Sequence, residues 1–169
     1  MVEITDVMEA IKSAIQMEKD GYAFYKKAAA QTSNEMGRTI FESLANDELT
    51  HLDVFQKIFD DEVINSEWDA LVESNKKYDS VPIFPKDPKE VDGISPDSNE
   101  LDALRIAMDS EKESIDHYTK IINASKDPDV KKIIEIIIEQ EKNHYSILEG
   151  EFSHISSTGY WLELDYLGG

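Results

Sequence analysis

A lone glutamate followed thirty residues later by Glu-x-x-His occurs twice in this chain, and the second copy repeats the first 93 residues on. Glu18, Glu48 and His51 form the first copy; Glu111, Glu141 and His144 form the second. The same shift pairs Ala14 with Ala107, Lys19 with Lys112, Tyr25 with Tyr118, Lys27 with Lys120, Glu42 with Glu135 and Phe59 with Phe152. A repeat this regular requires each half of the chain to build the same supersecondary unit. Because the repeated residues include four carboxylates and two imidazoles in matched order, it constrains the chemistry as well as the fold.

Each unit is a pair of helices. Ile11, Ala14, Ile15, Glu18, Tyr22, Tyr25 and Ala29 recur at steps of three and four, which predicts a helix over residues 6–31. Phe41, Leu44, Glu48, His51, Leu52 and Phe55 predict a second over 34–62, behind the cap candidate Ser33. Leu104, Ala107, Met108, Glu111, Ile115, Tyr118 and Ile122 predict a third over 99–124, with Ser98 as its cap. The fourth, over 128–152, opens on Asp127-Pro128, a capping residue followed by proline at the first helical position. Short polar turns join the first helix to the second and the third to the fourth, so each pair should be an antiparallel hairpin. The stretch between the hairpins carries Pro82, Pro85, Pro88, Gly93 and Pro96 and cannot be one long helix, although residues 67–73 could form a short one. It is long enough to travel the length of the bundle, ~38 Å for helices of about 25 residues. The expected architecture is all-α: a four-helix bundle over residues 1–152 with one long crossover between helices 2 and 3. The aromatic tail, 153–169, with Tyr160, Trp161 and Tyr166, should pack back over an open end.

The four repeated glutamates fall on the apolar stripes of their helices. Such positions normally take Leu, Ile or Ala, since burying an unpaired carboxylate costs several kcal/mol. Two divalent cations would balance four carboxylates, with two neutral imidazoles completing the ligand set. In Glu-x-x-His the side chains at i and i+3 share a face and can hold one ion, and the single Glu of each partner helix can close it from the other side. The expected site is pseudo-twofold, with metal ligands Glu18, Glu48, His51, Glu111, Glu141 and His144, and with Glu48 and Glu141 bridging. Oxygen-rich ligation with one imidazole per ion suits iron or manganese. A single Glu-x-x-His in a glutamate-rich helical chain is more often accidental than not. Two copies in register with two further glutamates are a different matter.

Other residues divide less sharply. Tyr25 and Tyr118 lie two helical turns beyond Glu18 and Glu111 and could bond opposing carboxylates, or could simply be core tyrosines. Asp47 and Gln140 could hold the far histidine's outer ring nitrogen, but the plainer expectation is that they are solvated helix residues. His117 sits about 120° round its helix from Glu111 and is not expected to ligate. His154 is expected at the surface, and Trp68 and Trp161 as lids or packing.

Composition narrows the function. The 169 residues carry a formal charge of −19, with a pI near 4.4, so a phosphate backbone or an anionic membrane surface would be repelled. Absence of cysteine removes thiolate-ligated zinc, iron–sulfur clusters and rubredoxin-type iron from this sequence. The first residues show no basic region followed by an apolar run, and no stretch approaches a membrane span, so a cytoplasmic location is expected.

These residues together resemble the rubrerythrin branch of the ferritin-like diiron-carboxylate superfamily. The resemblance rests on Glu18, Glu48-Leu-Thr-His51, Glu111 and Glu141-Lys-Asn-His144, and extends to the Gly159-Tyr-Trp-Leu ending. It implies two irons in a ferritin-like bundle, two-electron reduction of peroxide or dioxygen, and frequent dimerisation. Since two hairpins joined by a long crossover can close within one chain or exchange the second hairpin with a partner, a homodimer, helix-swapped or side by side, is expected. Two departures stand out. Full-length rubrerythrins carry a cysteine-ligated rubredoxin domain, which this sequence lacks, so electrons would come from a separate donor protein. They also carry a further ligand Glu three residues after the helix-3 Glu, where this chain has Ser114, and Glu113 points about 100° away. Rival readings are a non-enzymatic iron-binding or iron-sensing bundle, a dimanganese catalase-like activity, and a structural bundle that has lost its metal. Light scattering across a wide concentration range should give the mass of a homodimer; a monomer throughout would contradict that expectation.

Overall fold

A computed structural model describes residues 7–60, 100–159 and 161. It contains four helices: α1, Val7–Gln31; α2, Glu35–Phe59; α3, Glu100–Ala124; and α4, Pro128–Thr158. No strand occurs among the described residues. The residues expected between the hairpins, the short helix over 67–73, Trp68, Ser98, Tyr160 and Tyr166 lie outside them.

Local chemistry sets the ends. The side chain of Asn34, not Ser33, caps α2, accepting from the Gly37 N–H at 3.0 Å. Asp127 caps α4 by accepting from the N–H groups of Asp129 and Val130, with Pro128 at the first helical position. The expected end of α4 at 152 is too early. No breaker follows Phe152 until Gly159, which adopts φ 80° and closes the helix with a bond to the Ile155 carbonyl at 2.8 Å. His154 therefore lies within α4 and is half-buried.

Packing is heaviest within the two hairpins, α1 with α2 and α3 with α4. Between hairpins, Tyr25 of α1 reaches Glu111 of α3 while Tyr118 reaches back to Glu18, so α1 and α3 run antiparallel. His51 with Gln140 and His144 with Asp47 establish the same for α2 and α4. It follows that α2 and α3 are parallel, and that Asp60 and Glu100 stand at opposite ends of a bundle whose 25-residue helices are ~38 Å long. This is the ferritin-like arrangement of two hairpins linked by a crossover. Ile11, Phe41, Leu52, Phe55, Leu104, Tyr118, Ile121, Ile134, Ile137 and Leu148 form the fully buried centre.

Trp161 closes one end. It is 8% exposed, meets Phe41 edge-on at 5.9 Å, and donates its indole N–H to Glu100 at 2.8 Å. Gly37 makes the seat, since a Cβ there would lie 2.6 Å from the indole ring and 2.7 Å from Thr32 Cγ2. Gly37→Ala should displace the ring and destabilise the fold by about 1–3 kcal/mol. Gly150, with nothing within 4 Å of a built Cβ, should instead gain up to about 1 kcal/mol as alanine. Thermal melts of the two variants should therefore move in opposite directions, and a Gly37→Ala protein as stable as Gly150→Ala would refute the seating.

Candidate metal centre

Halfway along the bundle the apolar stripes are interrupted by six buried polar side chains. Glu18 comes from α1, Glu48 and His51 from α2, Glu111 from α3, and Glu141 and His144 from α4. They form two overlapping groups whose possible ligand atoms all lie within 4.8 Å of one another: Glu18, Glu48, His51 and Glu141, and Glu48, Glu111, Glu141 and His144. Glu48 and Glu141 belong to both. Every position the sequence nominated as a ligand is thus brought together, and neither His117 nor His154 joins them. His117 Nε2 lies 2.9 Å from the Ala10 carbonyl oxygen instead.

The groups face inward because each is held from outside. His51 turns Nε2 to the Gln140 side-chain oxygen at 2.7 Å, and His144 turns Nε2 to Asp47 at 2.9 Å. The rings lie nearly parallel, centroids 5.8 Å apart, with Nδ1 of each facing the cluster. Asp47 and Gln140 are therefore not merely solvated helix residues: each crosses the α2–α4 seam to fix the opposite histidine. Tyr25 donates to Glu111 and Tyr118 to Glu18, each from the other hairpin, so both tyrosines bond opposing carboxylates.

One positioning residue escaped the sequence reading. A Cβ on Gly21 would sit 2.5 Å from Glu48 Oε2, so glycine leaves the space that this oxygen occupies. The signal was present: Gly21 lies one turn after Glu18 on the inward face of α1, and its repeat partner is the small Ser114.

Electrostatics sharpen the picture. Burial first, then the Glu141 and Glu111 carboxylates, pushes Glu48 up to about 7. Burial and Glu141 push Glu111 up to about 8, and burial with Glu48 and Glu141 raises Glu18 well above the ordinary carboxylate value. Burial would raise Glu141 too, but His51 and His144 outweigh it and hold this carboxyl well below the usual range. Burial alone would depress the histidines; the neighbouring carboxylates of Glu141 and Glu18 raise His51, and the Asp47 bond with the nearby Glu111, Glu141 and Glu48 carboxylates raises His144. Burial and the adjacent carboxylates raise Tyr25 and Tyr118 above the ordinary phenol, so both remain donors.

Comparison with known proteins agrees with this geometry. The rubrerythrin family profile matches residues 9–151. The chain belongs to the rubrerythrin family. Among solved structures it is similar to a Thermotoga maritima protein described as ferritin-like and diiron-carboxylate, with TM-score 0.70 and 26% identity over 95% of this chain and all of that one. A Pyrococcus furiosus protein shares the fold at TM-score 0.66 and 21% identity, over 90% of this chain and 92% of its own. No curated protein matches in sequence.

The residues fit the metal that the family implies. Nδ1 of both histidines, Glu18 Oε2, Glu48 Oε1 and both Glu141 oxygens are buried without a hydrogen-bond partner, and they converge. An oxygen-rich set with two imidazoles and no thiolate matches iron chemistry. Buried unpartnered donors otherwise cost stability, so their concentration here marks a cation site.

Linkage gives a test. Glu48 and Glu111 titrate near 7 and 8 in the fold, against about 4.3 in the unfolded chain. Between those values the fold binds more protons than the unfolded chain, so metal-free stability falls as pH rises. The raised histidines act in the same sense: their contribution is full below about 6.5 and disappears as pH climbs through their folded values. Glu141 opposes them only in strong acid. Metal must displace these protons and binds better as they leave. The gap in Tm between Mn(II)-loaded and chelator-treated protein at fixed free metal should widen from pH 6 to about 8. A constant or narrowing gap would contradict the assignment.

Proposed function

We propose that this rubrerythrin-family chain is a non-haem diiron oxidoreductase that reduces peroxide or dioxygen with electrons delivered by a separate protein. The observation that carries the reading is the pair of interlocking buried donor groups sharing Glu48 and Glu141. Glu18 and His51 would hold one ion, Glu111 and His144 the other, and Glu48 and Glu141 both. Bound iron would supply the electrons that peroxide reduction consumes.

The protein's part is positional. Gln140 and Asp47 hold His51 and His144 by Nε2, which leaves Nδ1 for the cluster. Tyr118 and Tyr25 keep their protons and donate them as hydrogen bonds to Glu18 and Glu111, which fixes the orientation of the two carboxylates that are not shared. Phe41 stacks on Tyr25 and Phe55 packs on Tyr118, so apolar rings back the tyrosines and keep water from their bonds.

Electrons would have to come from outside this sequence, because its 169 residues include no cysteine to hold a rubredoxin-type iron. Its charge of −19 would favour a donor with a basic docking face. Protein loaded anaerobically with Fe(II) should take up about two ions per chain. It should then consume about one equivalent of hydrogen peroxide per site, two electrons for two, and stop. Adding a reduced small electron carrier should restart consumption, at a rate that falls as salt rises. Oxygen release from peroxide without any donor would favour the dimanganese catalase-like alternative. Iron uptake without peroxide consumption would favour the iron-binding one.

A further inference from the structure

Duplication alone would make the two halves of the centre alike, but three contacts break the equivalence. His144 is held at Nε2 by a carboxylate, Asp47 at 2.9 Å, whereas His51 is held by the neutral amide oxygen of Gln140 at 2.7 Å. Asp47 and Gln140 are themselves repeat partners, so the same structural position carries a charge in one half and none in the other. Both shared carboxylates lean the same way. Glu141 Oε2 lies 2.9 Å from His144 Nδ1 while its Oε1 lies 3.4 Å from His51 Nδ1. Glu48 Oε1 lies 3.4 Å from His144 Nδ1 and 3.9 Å from His51 Nδ1. The other Glu48 oxygen occupies the space over Gly21, and the repeat partner of Gly21, Ser114, has the side chain that Gly21 lacks.

An anion on the outer nitrogen of a ligating imidazole raises its basicity and adds attraction for the cation on the other nitrogen. A neutral amide oxygen does so more weakly, because hydrogen bonds to ionised groups are roughly twice as strong. We propose that the two ion positions are inequivalent, and that Asp47 makes the Glu111–His144 position the one that fills first. This rests on the reading that the cluster binds two ions; loading is then ordered, with the second ion entering at Glu18 and His51 to complete the shared carboxylates. Asp47 is itself about half exposed, so replacing it leaves no hole in the core.

The test is a titration of metal-free protein with Co(II), followed by native mass spectrometry and visible absorption, with circular dichroism to establish that each variant is folded. At one equivalent the natural protein should be predominantly the one-ion form. Asp47→Asn should weaken the first step by about 10–100-fold and yield a near-random mixture of empty, singly and doubly loaded protein. Asp47→Glu should restore the order because the charge is kept, and Gln140→Glu should strengthen the second step. His51→Ala should retain the tight first step and His144→Ala should lose it. A random mixture already in the natural protein would overturn ordered loading while leaving two-ion binding intact. So would an Asp47→Asn variant that leaves both steps unchanged or weakens them alike, or a tight first step surviving in His144→Ala. Saturation of the natural protein below two ions would overturn both the ordering and the dimetal reading.

Discussion

Four carboxylates buried at the centre of a helical bundle repel one another, and most of what is distinctive in this structure follows from that repulsion. At separations of a few ångströms, two such charges cost several kcal/mol even at an effective dielectric constant near 20. The protein's own groups answer only part of it. Tyr25 and Tyr118 each neutralise nothing but satisfy one oxygen, and the two imidazoles can take up protons and sit beside Glu141. The remaining cost appears as carboxyls raised to about 7 and 8 at Glu48 and Glu111, groups that surrender their ordinary ionisation to stay buried. A fold that tolerates this without a cation is losing stability at neutral pH, which natural proteins accept mainly at functional sites.

The arrangement is legible in the sequence to the degree that it is periodic. Helix type and order follow from the three-four spacing of the apolar residues, and the ligand set follows from charged residues standing where that spacing demands apolar ones. Glu18, Glu48, His51, Glu111, Glu141 and His144 are visible for this reason. What periodicity does not carry is the lateral reach of side chains between helices. Asp47 looks like a surface residue because it is one, about half exposed, and only the rotation of α2 against α4 brings it to His144. Gly21 is hidden differently, since what it contributes is a space, and a space has no pattern until the oxygen that fills it is located. The end of α4 lies beyond the last recurring apolar residue that the sequence marks, Phe152, because the polar residues that follow do not stop a helix and the terminating signal, Gly159, stands later.

The duplication explains why the centre is interlocked rather than merely paired. Glu18, Glu48 and His51 all come from the first hairpin, and only Glu141 of that donor group is borrowed from the second. The other group is the mirror of this: Glu111, Glu141 and His144 with Glu48 borrowed. Each hairpin therefore carries most of one site and lends its motif glutamate to the other. The reciprocal tyrosines repeat the logic, since each donates to the unshared glutamate of the opposite hairpin.

That exchange bears on how the two halves stay together. The helices pack mainly within hairpins, and the contacts between hairpins concentrate on the α1–α3 side, with α2 and α4 meeting sparsely. This seam is where the histidines, Asp47 and Gln140 lie, so polar contacts cross it beside the apolar core that both helices share. Polar contacts of this kind are directional, and they fix a rotation and a register that a smooth apolar seam would leave free to slip. A cation drawn between the hairpins would act on the same seam, because every donor group includes residues from both. Metal affinity and hairpin docking are consequently two expressions of one geometry: whatever loosens the α2–α4 seam withdraws ligands, and whatever neutralises the carboxylates tightens it.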